Sequence, residues 1–249
     1  MSAEPRAFDL QPPPVVLFVG NYGSGKTEVA VNYAIALADG GARVRIADLD
    51  LVNPYFRCRE ARDLLAAHGV ASVLPSEEMM HADLPILTPE VKGMVQHGEG
   101  FSVLDVGGDD VGATVLASLA PAFRDRGHEL LMVVNERRPF TETAEAVLKI
   151  MNEIERASQL KITGLVSNAH LIEETTPETV YSGLALTREV SALSSLPLRF
   201  VAVMEEVADS LESARLGGAS LLRMQRRLLP PWRRKTETGS STFSLCGKV

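Results

Sequence analysis

Gly20-Asn21-Tyr22-Gly23-Ser24-Gly25-Lys26-Thr27 fills every fixed position of the pattern G-x-x-x-x-G-K-[ST]. The spacing has a physical cause. Glycines let the backbone curl until successive N–H groups point inward as an anion nest. A helix opening near Gly25 adds the positive end of its dipole to the same spot. Lys26 then offers a mobile charge to the β- and γ-phosphates of a nucleoside triphosphate, and the Thr27 hydroxyl offers a ligand to Mg²⁺. Glu28, the next residue, is grouped with the loop as a nucleotide-contacting position. The flanks agree with this reading. Val15 to Val19 is a short, β-branched apolar run, as expected of a strand buried on both faces. Val29, Ala30, Tyr33, Ala34, Leu37 and Ala38 recur at helical spacing, and Gly40-Gly41 closes that helix.

The rhythm continues along the chain. Strands are expected at Val44 to Ala47, ending at Asp48, and at Phe101 to Leu104, ending at Asp105 before the turn Gly107-Gly108. Arg57 to His68 reads as a helix capped by Gly69, and a short helix is expected after Pro89. Further strands are expected at Leu130 to Val134, Ile162 to Val166 and, as the last, Leu198 to Val203. Thr141 to Ser158 is a helix with Glu142 and Glu145 in its first turn, where the dipole favours acids. Thr176-Pro177 opens another as N-cap and N1. A helical stretch is expected from Glu205 to Leu229, broken near Gly217-Gly218 and stopped by Pro230-Pro231. Strands alternating with helices imply an α/β fold, a mostly parallel β-sheet flanked by helices on both faces. The expected organisation is an extended leader over 1–14, one nucleotide-binding domain over 15–230, and a polar tail over 231–249.

Strand-end acids complete the candidate site. A phosphate loop needs a carboxylate near its magnesium. Asp105-Val106-Gly107-Gly108 fits D-x-x-G, in which the acid holds Mg²⁺ and the glycine senses the γ-phosphate. Asp48 and Asp50, at the end of the second strand, face the same place; Asp48 joins Thr27 and Asp105 as a metal candidate. Asp109 and Asp110 read as solvated loop acids or helix caps.

With Asp48-Leu49-Asp50-Leu51-Val52-Asn53-Pro54-Tyr55-Phe56-Arg57 beside the phosphate loop, the chain resembles the MinD/ParA branch of P-loop proteins. That is the SIMIBI class, shared with signal-recognition GTPases and biotin-type amide ligases. The resemblance spans Val15 to about Val203 and implies that Asp50 orients the attacking water. It also implies a loop after Asp50 that switches with the γ-phosphate. The chain departs from the pattern at Asn21, where members of the branch carry a lysine that reaches a partner's phosphates across a dimer. Arg57, Arg137 and Arg138 are candidate substitutes.

The same resemblance bears on the base. Gly164-Leu165-Val166-Ser167-Asn168 ends a strand with an asparagine where adenine-binding members carry one, and an amide can both donate to and accept from adenine. Asn135, ending the preceding strand, is the rival. Guanine selection in related GTPases uses an aspartate after an N/T-K pair, and Asn168-Ala169-His170-Leu171 has neither lysine nor aspartate, so ATP is expected over GTP.

Three functional classes share such a scaffold: an ATP-driven switch acting on a protein partner, with slow hydrolysis and a nucleotide-dependent homodimer; an amide ligase or carboxylate-activating enzyme like dethiobiotin or cobyrinate diamide synthetase; and an iron–sulfur or metal-delivery protein. The third predicts paired cysteines, whereas Cys58 stands alone beside Arg57 and Arg59, far from Cys246. Cobyrinate-type enzymes add a glutaminase domain, for which 249 residues leave no room. The switch is the favoured expectation, the ligase its alternative.

Bulk composition narrows the partners. The net charge is −7, the wrong sign for non-specific binding to nucleic acid or anionic lipid. No stretch approaches the roughly 18 apolar residues of a membrane span, and nothing at Met1-Ser-Ala-Glu-Pro-Arg6 suggests a signal peptide. The expected setting is cytoplasmic. Leu221 to Leu229 is basic and amphipathic, which admits either a membrane-touching helix of the MinD kind or a final helix packing Leu221, Met224 and Leu228 on the sheet. The second is favoured.

Overall fold

The structure, a computed structural model, describes residues 12–49, 61–73, 89–108, 110–123 and 126–228. Among these residues eight strands form one sheet: β1 (Val15–Val19), β2 (Val44–Leu49), β3 (Val70–Val73), β4 (Phe101–Val106), β5 (His128–Val134), β6 (Gly164–Ser167), β7 (Leu198–Met204) and β8 (Leu221–Met224). Their order is β3-β2-β4-β1-β5-β6-β7-β8, and every pairing is parallel.

Parallel strands need crossovers, and helices supply them. The chain passes from β1 through α1 (Lys26–Asp39) toward β2 on one side of the sheet order. It passes from β4 through α4 (Asp110–Phe123) toward β5 on the other. The two connections therefore diverge above the carboxyl end of β1, where open α/β sheets place their ligands.

Every residue of β1 is buried, and its side chains alternate between two cores. Val15, Leu17 and Val19 pack with α3 (Pro89–His97), α4 and α5 (Ala144–Ser158) through Met94, Leu116 and Val147. Val16 and Phe18 pack with α1 through Val29 and Tyr33, and the Tyr33 ring lies edge-on to Phe18 and stacked on Phe200. Helices thus cover both faces, which is why β1 reads as a continuous apolar run rather than an alternating one. A third cluster joins α6 (Pro177–Ser194) to β7 and to two short helices, α7 (Glu205–Ala208) and α8 (Ser213–Leu216).

Three elements depart from the expected layout. β3, which follows α2 (Arg62–Ala67), forms where no strand was expected, added to the sheet edge beside β2. α4 follows the Gly107-Gly108 turn, so Asp110 begins a helix. At the far end, Leu198–Met204 is not the last strand, and Glu205 to Leu229 is not one broken helix. After α7 and α8 the chain re-enters the sheet as β8, paired to β7 from Leu221 to Met224. The expected final helix is therefore corrected to a strand, and with it the membrane-touching helix over Leu221 to Leu228. The apolar positions still face inward, with Leu221, Met224 and Leu228 all buried. Among the described residues no helix is long and apolar enough to cross a membrane. Residues 1–11 of the expected leader over 1–14 and the tail over 231–249 lie outside the described residues, as do Asp50, Arg57 and Cys58.

Candidate functional site

The loop from Gly20 to Gly25 leaves the carboxyl end of β1 and opens α1, with Gly25 as N-cap at φ 87° and no side chain capping the helix. A β-carbon at Gly25 would collide with the Asn168 amide, so glycine is required both for the left-handed turn and for the approach. The uncapped first turn leaves backbone N–H groups for an anion, and the helix dipole points its positive end the same way. Lys26 is buried, with Nζ folded back to donate to the Asn21 carbonyl at 3.0 Å. Gly108 of the D-x-x-G turn comes close from the other side. A β-carbon there would stand 2.9 Å from Lys26 Nζ and 3.0 Å from the Tyr22 amide nitrogen. The two motifs, 80 residues apart in sequence, thus form one cradle.

Asp48 and Asp105 sit opposite one another in register on β2 and β4, both buried. Thr27, in the first turn of α1, lines the cavity. These are hard oxygen ligands suited to Mg²⁺. Among the described residues no group of three or more His, Cys, Asp or Glu side chains could hold a metal by itself. Of the remaining expected site residues, Asp50 lies one position beyond the last described residue of β2.

A cavity of about 390 Å³ opens beside the loop. Lys26, Thr27, Asn168, His170, Met204 and Met224 are among the residues that line it. Asn168 is fixed by two bonds. Its backbone N–H extends the sheet by donating to Val134 O, and its Nδ2 donates to Ser24 O, each at 2.8 Å. Asn135 stands elsewhere. It is fully buried, and its Oδ1 accepts from the backbone N–H groups of Arg137 and His170. The cavity is therefore lined by Asn168 and not by its rival.

Glu28 also lines the cavity, but its carboxylate accepts backbone hydrogen bonds from Arg227 at 2.6 Å and Leu228 at 3.2 Å. Asn32, one turn on, exchanges hydrogen bonds with the Gln225 backbone. Residues 225–228 are thereby fastened to the first turns of α1. Burial pushes the Glu28 carboxyl above its usual range, and the two backbone donors oppose that shift. Nothing in the sequence pointed to this contact, because its partners lie about 200 positions apart.

His170 was likewise not singled out. Its Nε2 lies 3.2 Å from where a Gly25 β-carbon would stand. Burial, then the charges of Arg138 and Arg226, lower its pKa to about 4. The unfolded chain, with a His near 6.5, binds the proton more readily than the folded one. Stability is thus fully present above pH 6.5 and falls as pH drops toward 4. Thermal midpoints of wild type and His170→Gln should agree at pH 7.5, and the wild type should lose more on going to pH 4.5. Parallel profiles would show that His170 carries no such linkage.

No protein-family model matches the chain. It is 34% identical over 116 residues to the chromosome-partitioning ATPase Soj of Thermus thermophilus, covering 45% of this chain and 41% of that protein. It is 29% identical over 184 residues to the antiactivator FleN of Pseudomonas aeruginosa, covering 62% and 61%. The chain therefore spans less than two thirds of either relative. In fold it matches the signal recognition particle receptor FtsY of Elizabethkingia anophelis, with a TM-score of 0.53 at 18% identity over 90% of this chain and 66% of that one. The signal recognition particle 54 kDa protein of Aeropyrum pernix, solved with GDP, gives the same TM-score at 19% identity, over 80% and 43%. These likenesses agree with the strand order and the loop at the end of β1: the chain is MinD/ParA-like in sequence, similar to Soj and FleN over part of its length, and shares the fold of the signal-recognition P-loop proteins.

Proposed function

We propose that this chain binds Mg·ATP at Gly20 to Thr27, hydrolyses it slowly, and acts as a nucleotide-driven switch on a protein partner. The observation that carries the reading is the uncapped first turn of α1, closed by Lys26 and Gly108 on one side and opening into the cavity on the other. One relative is named an ATPase and the other an antiactivator, which supports turnover and action on another protein. A nucleotide-dependent homodimer belongs to the same reading. Neither relative is named as a ligase, and nothing in the comparisons favours the carboxylate-activating alternative.

In this reading Lys26 neutralises the β- and γ-phosphates, and the amides of the loop hold them. Thr27, with Asp48 and Asp105, would hold Mg²⁺, which neutralises phosphate charge when bound. Asp50 orients a water that attacks the γ-phosphorus as the bond to the β–γ bridging oxygen breaks. The products are ADP, phosphate and a proton.

Base choice is assigned to Asn168, whose Nδ2 already serves Ser24 O and whose Oδ1 is the remaining acceptor for an adenine amino group. The apolar wall of Met204 and Met224 suits a purine face. In a filter-binding competition ATP should displace labelled ATP at least about tenfold better than GTP does, a difference of about 1.4 kcal/mol. Equal competition would remove Asn168 from base reading.

A further inference from the structure

Lys26 is the one cationic side chain that the loop itself offers to a triphosphate, and Asn21 stands where the MinD/ParA branch that the chain resembles carries a second. We infer that Arg138, from the turn after β5 of the same chain, is the cation that contacts the γ-phosphate of the bound triphosphate. This rests on the Mg·ATP reading above.

Four arginines compete for the role, and the structure separates three of them. Arg137 is ion-paired to Glu136 at 3.0 Å and does not line the cavity. Arg226 lines it but is ion-paired to Glu173 at 3.0 Å. Arg138 lines the cavity, and among the described residues it has no carboxylate within ion-pair reach. The fourth, Arg57, lies outside the described residues.

Arg138 is also held in place by the loop itself. Its Nε donates to Gly23 O at 2.8 Å, inside the phosphate loop, which leaves both terminal nitrogens for an anion. The side chain packs against Gly23, with Nε, Cδ and Cζ between 3.3 and 3.7 Å from where a β-carbon would stand. A guanidinium so anchored presents a fork already oriented for phosphate oxygens.

The backbone under Arg138 is built to keep it there. Asn21, at the position of the missing lysine, donates through Nδ2 to Pro139 O at 2.7 Å. The position that lost the cation therefore docks the turn that carries one. The turn is closed internally, with Thr141 Oγ1 donating to Asn135 O at 2.6 Å and to Arg138 O at 2.9 Å. Phe140 has φ 69°, a left-handed conformation that is strained for a non-glycine residue, and its side chain is 74% exposed. Packing of the ring does not offset that strain, whereas the docking of Arg138 and Pro139 on the loop requires the turn. The charge of Arg138 also reaches the cavity wall, where it helps to keep His170 neutral.

The test compares affinities, and so does not depend on turnover. Calorimetry would measure Mg²⁺ with a non-hydrolysable ATP analogue, and separately ADP, on wild type, Arg138→Gln and Arg138→Lys. Glutamine keeps a donor for Gly23 O but loses the charge. Arg138→Gln should lose at least about tenfold in affinity for the analogue and less than about threefold for ADP. Arg138→Lys, which keeps the charge, should hold the preference for the analogue over ADP within about threefold of wild type. A loss shared equally by the analogue and ADP, or no loss of either, would reduce Arg138 to a loop-shaping residue and overturn the inference. Loss of the preference in the lysine variant would do the same. Wild type that binds neither nucleotide would instead overturn the Mg·ATP reading, and this inference with it.

Discussion

Asp50→Asn should abolish single-turnover hydrolysis of ATP while leaving Mg·ATP affinity within about threefold of wild type. The expectation follows from where β2 ends. Asp48, buried in register with Asp105, is the second-last residue of that strand, and Asp50 follows Leu49 directly. In the MinD/ParA branch the corresponding acid acts on water and hardly touches the bound phosphates, so binding and turnover should separate cleanly. The wild type should itself be slow. A cation supplied across an interface can be worth about 10³–10⁵ in rate in comparable systems, and Asn21 cannot supply one. A partner that brings an arginine to the transferred phosphate should therefore accelerate the reaction. Rapid hydrolysis by the isolated chain, or normal hydrolysis by the asparagine variant, would contradict this mechanism.

Much of the fold was legible because local signals and tertiary placement agree. β1, α1 and the Thr176-Pro177 start of α6 lie where apolar runs, glycines and caps put them. α5 starts three residues later than expected, because Thr143 accepts from Ala146 N and so takes the N-cap. β6 starts at Gly164 rather than Ile162.

The misses have physical causes. α4 packs against the sheet, α3 and α5, so most of its faces are apolar and no polar stripe marks its period; Pro121 in its last turn further disguised it. β8 has only four residues, and Leu221, Met224 and Leu228 happen to fall at helical spacing. Its burial nevertheless belongs to a strand. Leu222 and Met224 point to the α1 core, while Leu221 packs beneath α6. A four-residue edge strand offers too few positions for either period to be decided from sequence.

The site divides in the same way. The phosphate loop and the strand-end acids are contiguous motifs and could be read directly. What touches them could not. Arg138 reaches Gly23 across 115 positions, Asn168 reaches Ser24 across 144, and Arg227 reaches Glu28 across 199. Each of these is made by the parallel sheet, which gathers the carboxyl ends of β1, β5, β6 and β8 at one edge. The sequence could name Arg138 and Asn168 as candidates beside Arg137 and Asn135, but only their contacts in the folded chain tell the members of each pair apart.

The central claim concerns Lys26. It is buried, folded onto the Asn21 carbonyl, and lies beside Gly108 at the mouth of the cradle. A bound triphosphate would give the ammonium charged β- and γ-oxygens as acceptors in a site shielded from water, where such bonds are strong. Removing it should cost more than any other single side chain in the loop, since every other loop contact to phosphate comes from the backbone. The most direct measurement is calorimetry of Mg·ATP binding to wild type and to Lys26→Ala, with circular dichroism to show that both are folded. The account predicts clear binding by the wild type and a loss of at least about tenfold in the variant, on the order of 1.4 kcal/mol or more. Unchanged affinity in a folded Lys26→Ala protein would contradict it.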